Sequence, residues 1–206
     1  MTFTNDFLAD TIAVLGQLDQ SDVEAVVEAM RASRDAGGRL FFCGSGGGAG
    51  HASHATCDFR KLANFEAYCV TDNVSELTAR INDDGWDTAY SNWLAVSGLR
   101  ANDCLFVFSV GGGKVDPPVS VNLVNAVVLA KEVGASVVGV VGRDGGALRE
   151  MATASILIPT VEPGFVTPQT EGLQALMWHL IVSHPRLAVN VAKWEGIETG
   201  VDASVA

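Results

Sequence analysis

Arg39-Leu40-Phe41-Phe42-Cys43-Gly44-Ser45-Gly46-Gly47-Gly48-Ala49-Gly50-His51-Ala52-Ser53-His54-Ala55-Thr56-Cys57-Asp58 reads as an apolar strand, a glycine turn and the start of a helix, in that order. Residues 40–43 are continuously apolar and bounded by Gly37-Gly38 before and Gly44 after, the pattern of a short buried strand. The glycines then remove side chains just where a helix begins. Its first N–H groups are open to an anion, which makes Ser45, Gly46, Gly47 and Gly48 candidate phosphate contacts. Along the predicted helix His54 and Asp58 stand four residues apart, so an imidazole and a carboxylate share one face. Such a pair suits a metal ion or proton transfer.

The strand-then-glycine pattern occurs twice. Residues 103–109 are predicted as a strand that runs into Val110-Gly111-Gly112-Gly113-Lys114. In an open parallel sheet, ligands sit outside the carboxyl ends of strands whose crossovers leave on opposite faces. The two turns are therefore expected to face one crevice and share one phosphate, adding Ser109, Gly111, Gly112, Gly113 and Lys114 to the candidate contacts. Between the turns the pattern predicts a helix over 49–62, a strand over 65–70, a short helix over 74–81 and a helix over 86–99 with Trp93 in the core. The acidic stretch 82–87 lacks the full spacing of a calcium loop and reads as a solvated loop.

Beyond the second turn, a helix over 122–133 ended by Gly134, strands over 136–142 and 154–159, and a short helix over 147–151 follow. The last helix is predicted to run to 183, with Thr167 as N-cap, Pro168 at its first position and Pro185 past its end. Glu171 and His179 lie on it about 80° apart around the axis and some two turns along, within reach of one elongated site. A solvated Glu171 and a hydrogen-bonded His179 satisfy the same pattern. His51 and His184 read as surface or capping histidines.

Ahead of the first strand, residues 4–18 and 22–36 form two amphipathic patterns, one with Leu8, Ile12 and Leu15, the other with Val23, Val26, Val27 and Met30. Ser21 and Glu24 form a capping box for the second. Lying outside the crossover pattern, such helices must cover a sheet face or pack on a neighbouring subunit, and the subunit is the expectation. A chain of 206 residues suits one α/β domain, and 48% hydrophobic residues with 22 glycines suit a buried parallel sheet. A net charge of -11 argues against nucleic-acid and anionic-membrane partners. No apolar run approaches the roughly 18 residues of a membrane span, and the first residues lack a signal-peptide pattern, so a cytoplasmic protein is expected. Cys43, Cys69 and Cys104 fall on predicted strands as small apolar groups.

The element order, the first glycine turn, the His54/Asp58 pair, the turn Gly142-Arg143-Asp144-Gly145-Gly146 and the closing helix with Glu171 and His179 together resemble the sugar isomerase (SIS) family. Within it the chain is similar to the sedoheptulose 7-phosphate (phosphoheptose) isomerases over almost its whole length. The resemblance implies a three-layer α/β/α fold with a five-stranded parallel sheet of flavodoxin-like order, plus N-terminal helices. It implies one SIS domain over 1–206: helices 1–36 used in oligomer packing, a sugar-phosphate-binding core over 37–185 and a tail over 186–206. The implied activity is metal-assisted aldose–ketose isomerisation of a sugar phosphate through an enediol, in a homotetramer carrying a divalent metal, zinc in most of the family.

The family's His-x3-Glu and Gln-x7-His match His54-x3-Asp58 and Glu171-x7-His179. These four are the implied metal ligands, and Asp58 and His179 the implied proton-transfer groups. The family's turns read Gly-Asn-Gly-Gly-Ser and Ser-Thr-Ser-Gly-Asn-Ser; here Ser109 keeps the first position of the second, Gly48, Gly111 and Gly112 carry no hydroxyl, and Lys114 replaces the last serine. Residues 115–120 form an insertion beside the same pocket. The competing class is a non-catalytic sugar-phosphate-binding or assembly protein resembling the family's replication-initiator-associating protein. Four ligands favour the enzyme and the missing hydroxyls favour the binder.

Overall fold

Five parallel strands, β1 (Leu40–Gly44), β2 (Ala67–Cys69), β3 (Cys104–Ser109), β4 (Ser136–Val141) and β5 (Ala154–Leu157), lie in the order β2-β1-β3-β4-β5. They belong to a computed structural model that describes residues 2–194. The helices are α1 (Phe3–Gly16), α2 (Gln20–Asp35), α3 (Gly47–Ala63), α4 (Val74–Asp84), α5 (Ala89–Val96), α6 (Val121–Val133), α7 (Gly146–Met151) and α8 (Val166–Val182). Successive strand residues point to opposite faces. Leu40, Phe42, Phe106, Phe108, Val138 and Val140 meet α2, α3 and α8 on one side, while Phe41, Cys43, Leu105, Val107 and Val137 meet α5, α6 and α7 on the other. Both faces being covered, the strands are apolar throughout, and the three-layer α/β/α arrangement follows.

Topology positions the site. β1 leaves through α3 toward β2 on one face, and β3 leaves through α6 toward β4 on the other, so the carboxyl ends of β1 and β3 flank a crevice. At the opposite end of the sheet Asp103, fully buried, accepts the Arg39 backbone N–H at 2.8 Å, the Arg100 N–H at 3.0 Å and the Arg39 guanidinium at 2.7 Å. Burial pushes the Asp103 carboxyl up, and the Arg39 bonds outweigh it, leaving a net depressed pKa.

Several expectations are corrected. α2 does not wait for a neighbouring subunit: Val23, Val26, Val27 and Met30 are buried on β4 and β5, because the α7 crossover covers the opposite face of those strands. α1 buries only Val14 and leaves Phe3, Leu8 and Ile12 exposed. Asp19, not Ser21, caps α2, since its carboxylate accepts both the Ser21 N–H and hydroxyl. Residues 82–84 finish α4 instead of opening a loop; Asn73 caps that helix and Arg80 pairs with Glu76 one turn back. Trp93 is only partly buried, edge-on to Phe41 at 6.1 Å. A 3₁₀ turn (Pro163–Phe165) leads directly into α8 at Val166, so Thr167 is no cap and Pro168 is the third helical residue.

The start of the tail docks, with Leu187 buried and the Asn190 side chain donating to the Lys61 carbonyl. Met1 and the tail residues 195–206 lie outside the described residues. Cys43, Cys69 and Cys104 are buried free thiols, and burial raises Cys69 to about 11 and Cys104 to about 12. Among the described residues no helix is long and apolar enough to cross a membrane.

Candidate functional site

The first glycine turn packs too tightly for side chains. Gly46 sits at φ 58, ψ -123, a conformation that glycine alone adopts readily. A Cβ on Gly48 would fall 2.8 Å from the Phe108 carbonyl oxygen, which accounts for the absent hydroxyl there. In the second turn Ser109 Oγ accepts the Gly112 N–H at 3.0 Å. The Gly112 and Gly113 carbonyls then accept the Leu148 and Ala147 N–H groups, so this loop caps α7 and holds the third turn, Gly142 to Gly146, against itself.

These three turns bound a cleft of about 1010 Å³. Ser45, Ser109, Gly111, Gly113 and Lys114 line it; Gly46, Gly47, Gly48 and Gly112 do not. Lys114 pairs with Val119 in a small antiparallel bridge that stands the inserted segment up as the rim of the cleft. Behind Ser45 the fully buried Asn122 donates to its hydroxyl at 3.3 Å and keeps an Oδ1 without a partner among the described residues. Tyr90 donates to the Gly44 carbonyl at 2.8 Å, and burial pushes its phenol up to about 12. Arg143, at the carboxyl end of β4, also lines the cleft. Sequence reasoning missed it, although the third turn follows the strand next to β3.

From the cleft, the seam between α3 and α8 leads to the second half of the site. Gly47, His51, His54 and Asp58 follow one another at helical spacing along α3. The Glu171 carboxylate lies against Gly47, where a Cβ would come 2.6 Å from its Cδ. The positive end of α3 favours a carboxylate there.

Farther down the seam, ligand atoms of His54, Asp58 and His179 lie within 4.8 Å of one another, with His54 Nε2 3.9 Å from Asp58 Oδ2. Glu171 is not part of this trio. His179 Nδ1 lies 2.7 Å from the Ala175 carbonyl, which can only accept, so Nδ1 carries the proton and Nε2 offers its lone pair. The buried Trp178 ring stacks on His179, with centroids 3.4 Å apart, and meets His54 edge-on at 4.8 Å. Two imidazoles and a carboxylate without thiolates fit a divalent ion such as zinc. His51, half-buried near Phe108, has its pKa lowered by burial against the opposing pull of Glu171.

Comparison with known families matches residues 5–142 to the SIS domain. The chain belongs to the SIS domain family. This SIS protein is 35% identical over 191 residues to the lincomycin biosynthesis protein LmbN of Streptomyces lincolnensis, covering 89% of this chain and 69% of that one. A phosphoheptose isomerase of Rhodospirillum rubrum is 32% identical over 178 residues, covering 84% and 88%. Among solved structures, the phosphoheptose isomerase of Neisseria gonorrhoeae matches with a TM-score of 0.75 at 26% identity, over 87% of this chain and 94% of that one. The sugar isomerase domain of an RpiR transcription factor from Sphaerobacter thermophilus matches at 0.60 and 19% identity, over 88% and 85%, and shares the fold. In this SIS domain, then, the switch-point crevice and the α3–α8 seam belong to a fold found in proteins of both kinds.

Proposed function

We propose that the chain is a sugar-phosphate aldose–ketose isomerase, with sedoheptulose 7-phosphate as substrate and a heptose 7-phosphate as product. The observation that carries this is the nitrogen–oxygen ligand trio of His54, Asp58 and His179 between α3 and α8, in a domain whose switch-point cleft is lined by Lys114 and by none of the three. Relatives named phosphoheptose isomerase support the same reading.

The reaction moves a proton between neighbouring carbons. A base removes a proton from C1 of the ketose while the C2 carbonyl oxygen gains one, giving an enediol. The C1 hydroxyl proton then leaves and C2 takes one back, which leaves the aldehyde at C1. With its Nδ1–H committed to Ala175, His179 has one open lone pair, at Nε2, and serves the carbon proton only while that nitrogen is off the metal. Asp58, a short carboxylate on the facing helix, serves the transfer between oxygens. Lys114 supplies charge to the phosphate, and Ser45 and Ser109 hydroxyls face the same cleft. His54, Asp58 and His179 would hold a divalent metal, zinc first, with Glu171 as a fourth donor within the family pattern. Such an ion polarises a carbonyl when bound. The sites belong to a homotetramer, an assembly favoured by the bare apolar face of α1.

A second reading, a sugar-phosphate binder without turnover, is favoured by the missing loop hydroxyl at Gly111. Incubating the purified protein with ketose phosphates of five to seven carbons and following aldose signals by NMR decides between them. Conversion of the seven-carbon ketose is expected; binding without conversion of any sugar supports the second reading.

A further inference from the structure

We propose that Arg143 is the second cation of an anion clamp with Lys114, and that the bare backbone of Gly111 is the opening through which its guanidinium reaches the phosphate. The inference rests on reading the cleft as a sugar-phosphate site and names a residue that recognises that ligand's phosphate.

Charge is the first argument. The chain carries a net -11, and most of its arginines are spent on carboxylates or carbonyl groups, as Arg39 on Asp103 and Arg80 on Glu76. Lys114 and Arg143 line the same cleft, and among the described residues neither side chain forms an ion pair or hydrogen bond. The carboxylate nearest in sequence, Asp144, is turned onto the Gly146 N–H at 3.1 Å. Asp144 and Glu150 line the same cleft, so its formal charges balance, but neither carboxylate pairs with Lys114 or Arg143, which leaves both cations open to an added anion.

Backbone geometry is the second. Arg143 holds φ at 56, in the left-handed region, beside only Asn64 and Ser120 among described non-glycine residues. Asparagine tolerates that region, whereas arginine gains nothing local from it. What the conformation does is send the side chain back across the second glycine turn, its Cδ 3.5 Å from where a Gly111 Cβ would stand. The glycines around it differ in kind. A Cβ on Gly112 would fall 1.7 Å from the Gly145 carbonyl oxygen and one on Gly48 2.8 Å from that of Phe108, so backbone excludes side chains there. At Gly111 the neighbours within 4 Å are the Arg143 Cδ and Nε alone. A Cβ at 111 would rest on the arginine stem at ordinary contact distance, and the atoms of a side chain beyond it would compete for the same space. A planar guanidinium then offers paired N–H donors to phosphate oxygens, and Lys114 adds a point charge from the rim.

The test is calorimetric titration of the full chain with inorganic phosphate, alongside thermal melting. Arg143→Gly is expected to weaken phosphate binding by about tenfold or more while leaving Tm unchanged or higher, because glycine relaxes the left-handed backbone. Gly111→Ser is expected to weaken it too, and to add no more than about twofold in the Arg143→Gly background, since both act through one side chain. Phosphate affinity unchanged in Arg143→Gly, a parallel loss of affinity and Tm, or no phosphate binding by the unsubstituted protein each overturns the clamp. Turnover is read separately by NMR. Isomerisation with an indifferent Arg143 removes the clamp and keeps the reaction; phosphate binding through Arg143 without turnover of any sugar keeps the clamp and removes the reaction.

Discussion

His179 shows how a single side chain is prepared by its neighbours: one ring nitrogen is bound to the Ala175 carbonyl, one face is stacked on Trp178, and the ring lies beside His54 and Asp58. His179→Ala should therefore abolish isomerisation and lower the metal content found by elemental analysis, whereas normal metal content would remove the trio as a metal site. Glu171→Gln should retain metal, because the carboxylate lies on Gly47 and outside the trio. Loss of metal in that variant would place Glu171 among the essential ligands. Lys114→Ala should weaken phosphate binding by about tenfold in calorimetry, a modest figure because the ammonium is exposed. His54 and Asp58 were readable because helical spacing converts directly into a shared face, whereas His179, on another helix, joined them only through the family resemblance. The seat of Glu171 was not readable, since periodicity gives the face of a residue and says nothing of how its side chain leans along the axis. Arg143 escaped for a similar reason: a left-handed φ at a non-glycine residue leaves no mark in composition or period.

The strands and turns were the most legible elements, because buried parallel strands bounded by glycine have few alternative readings. Helix starts were less so. Asp19 and Ser21 are both competent caps, and the side-chain geometry that selects Asp19 appears only once the chain has turned. The starts of β1 and β3 are tied by a group whose strength is measurable. Asp103→Ala should cost about 3–5 kcal/mol in urea unfolding, since it leaves the guanidinium of Arg39, itself largely buried, without its partner. The carboxyl's pKa is depressed in the fold, so its contribution is fully present above the unfolded value of about 3.9 and is lost as pH falls through the lower folded value. Unsubstituted protein should lose stability over that acid window more steeply than the Asp103→Ala variant. Parallel pH profiles would mean that the pair contributes nothing to acid stability.

At the scale of the molecule, the two N-terminal helices were expected to pack alike and do not. α2 closes the sheet over β4 and β5, while α1 is fastened by Phe3 and Phe7 against Phe165 and by Gln169 to Asp10 at 2.7 Å, with its apolar stripe turned outward. Sequence alone could not divide them, because both show the same period and the difference lies in which sheet face the α7 crossover leaves bare. Leu8 at 55% and Ile12 at 69% exposure stand one turn apart on that stripe, and α8 adds Leu176 and Leu180 to the exposed apolar residues. Runs of exposed apolar side chains on two helices are what a subunit interface requires and what a monomer avoids. Light scattering at micromolar concentration should therefore give four chains per particle. Ile12→Glu should shift the population to smaller species, because a carboxylate that water solvates freely in the single chain loses that solvation in a packed interface. Circular dichroism of the variant should stay native-like, since Ile12 contributes little to the core of its own chain. A monomeric unsubstituted protein, or a tetramer indifferent to Ile12→Glu, would leave α1 without the role assigned to it.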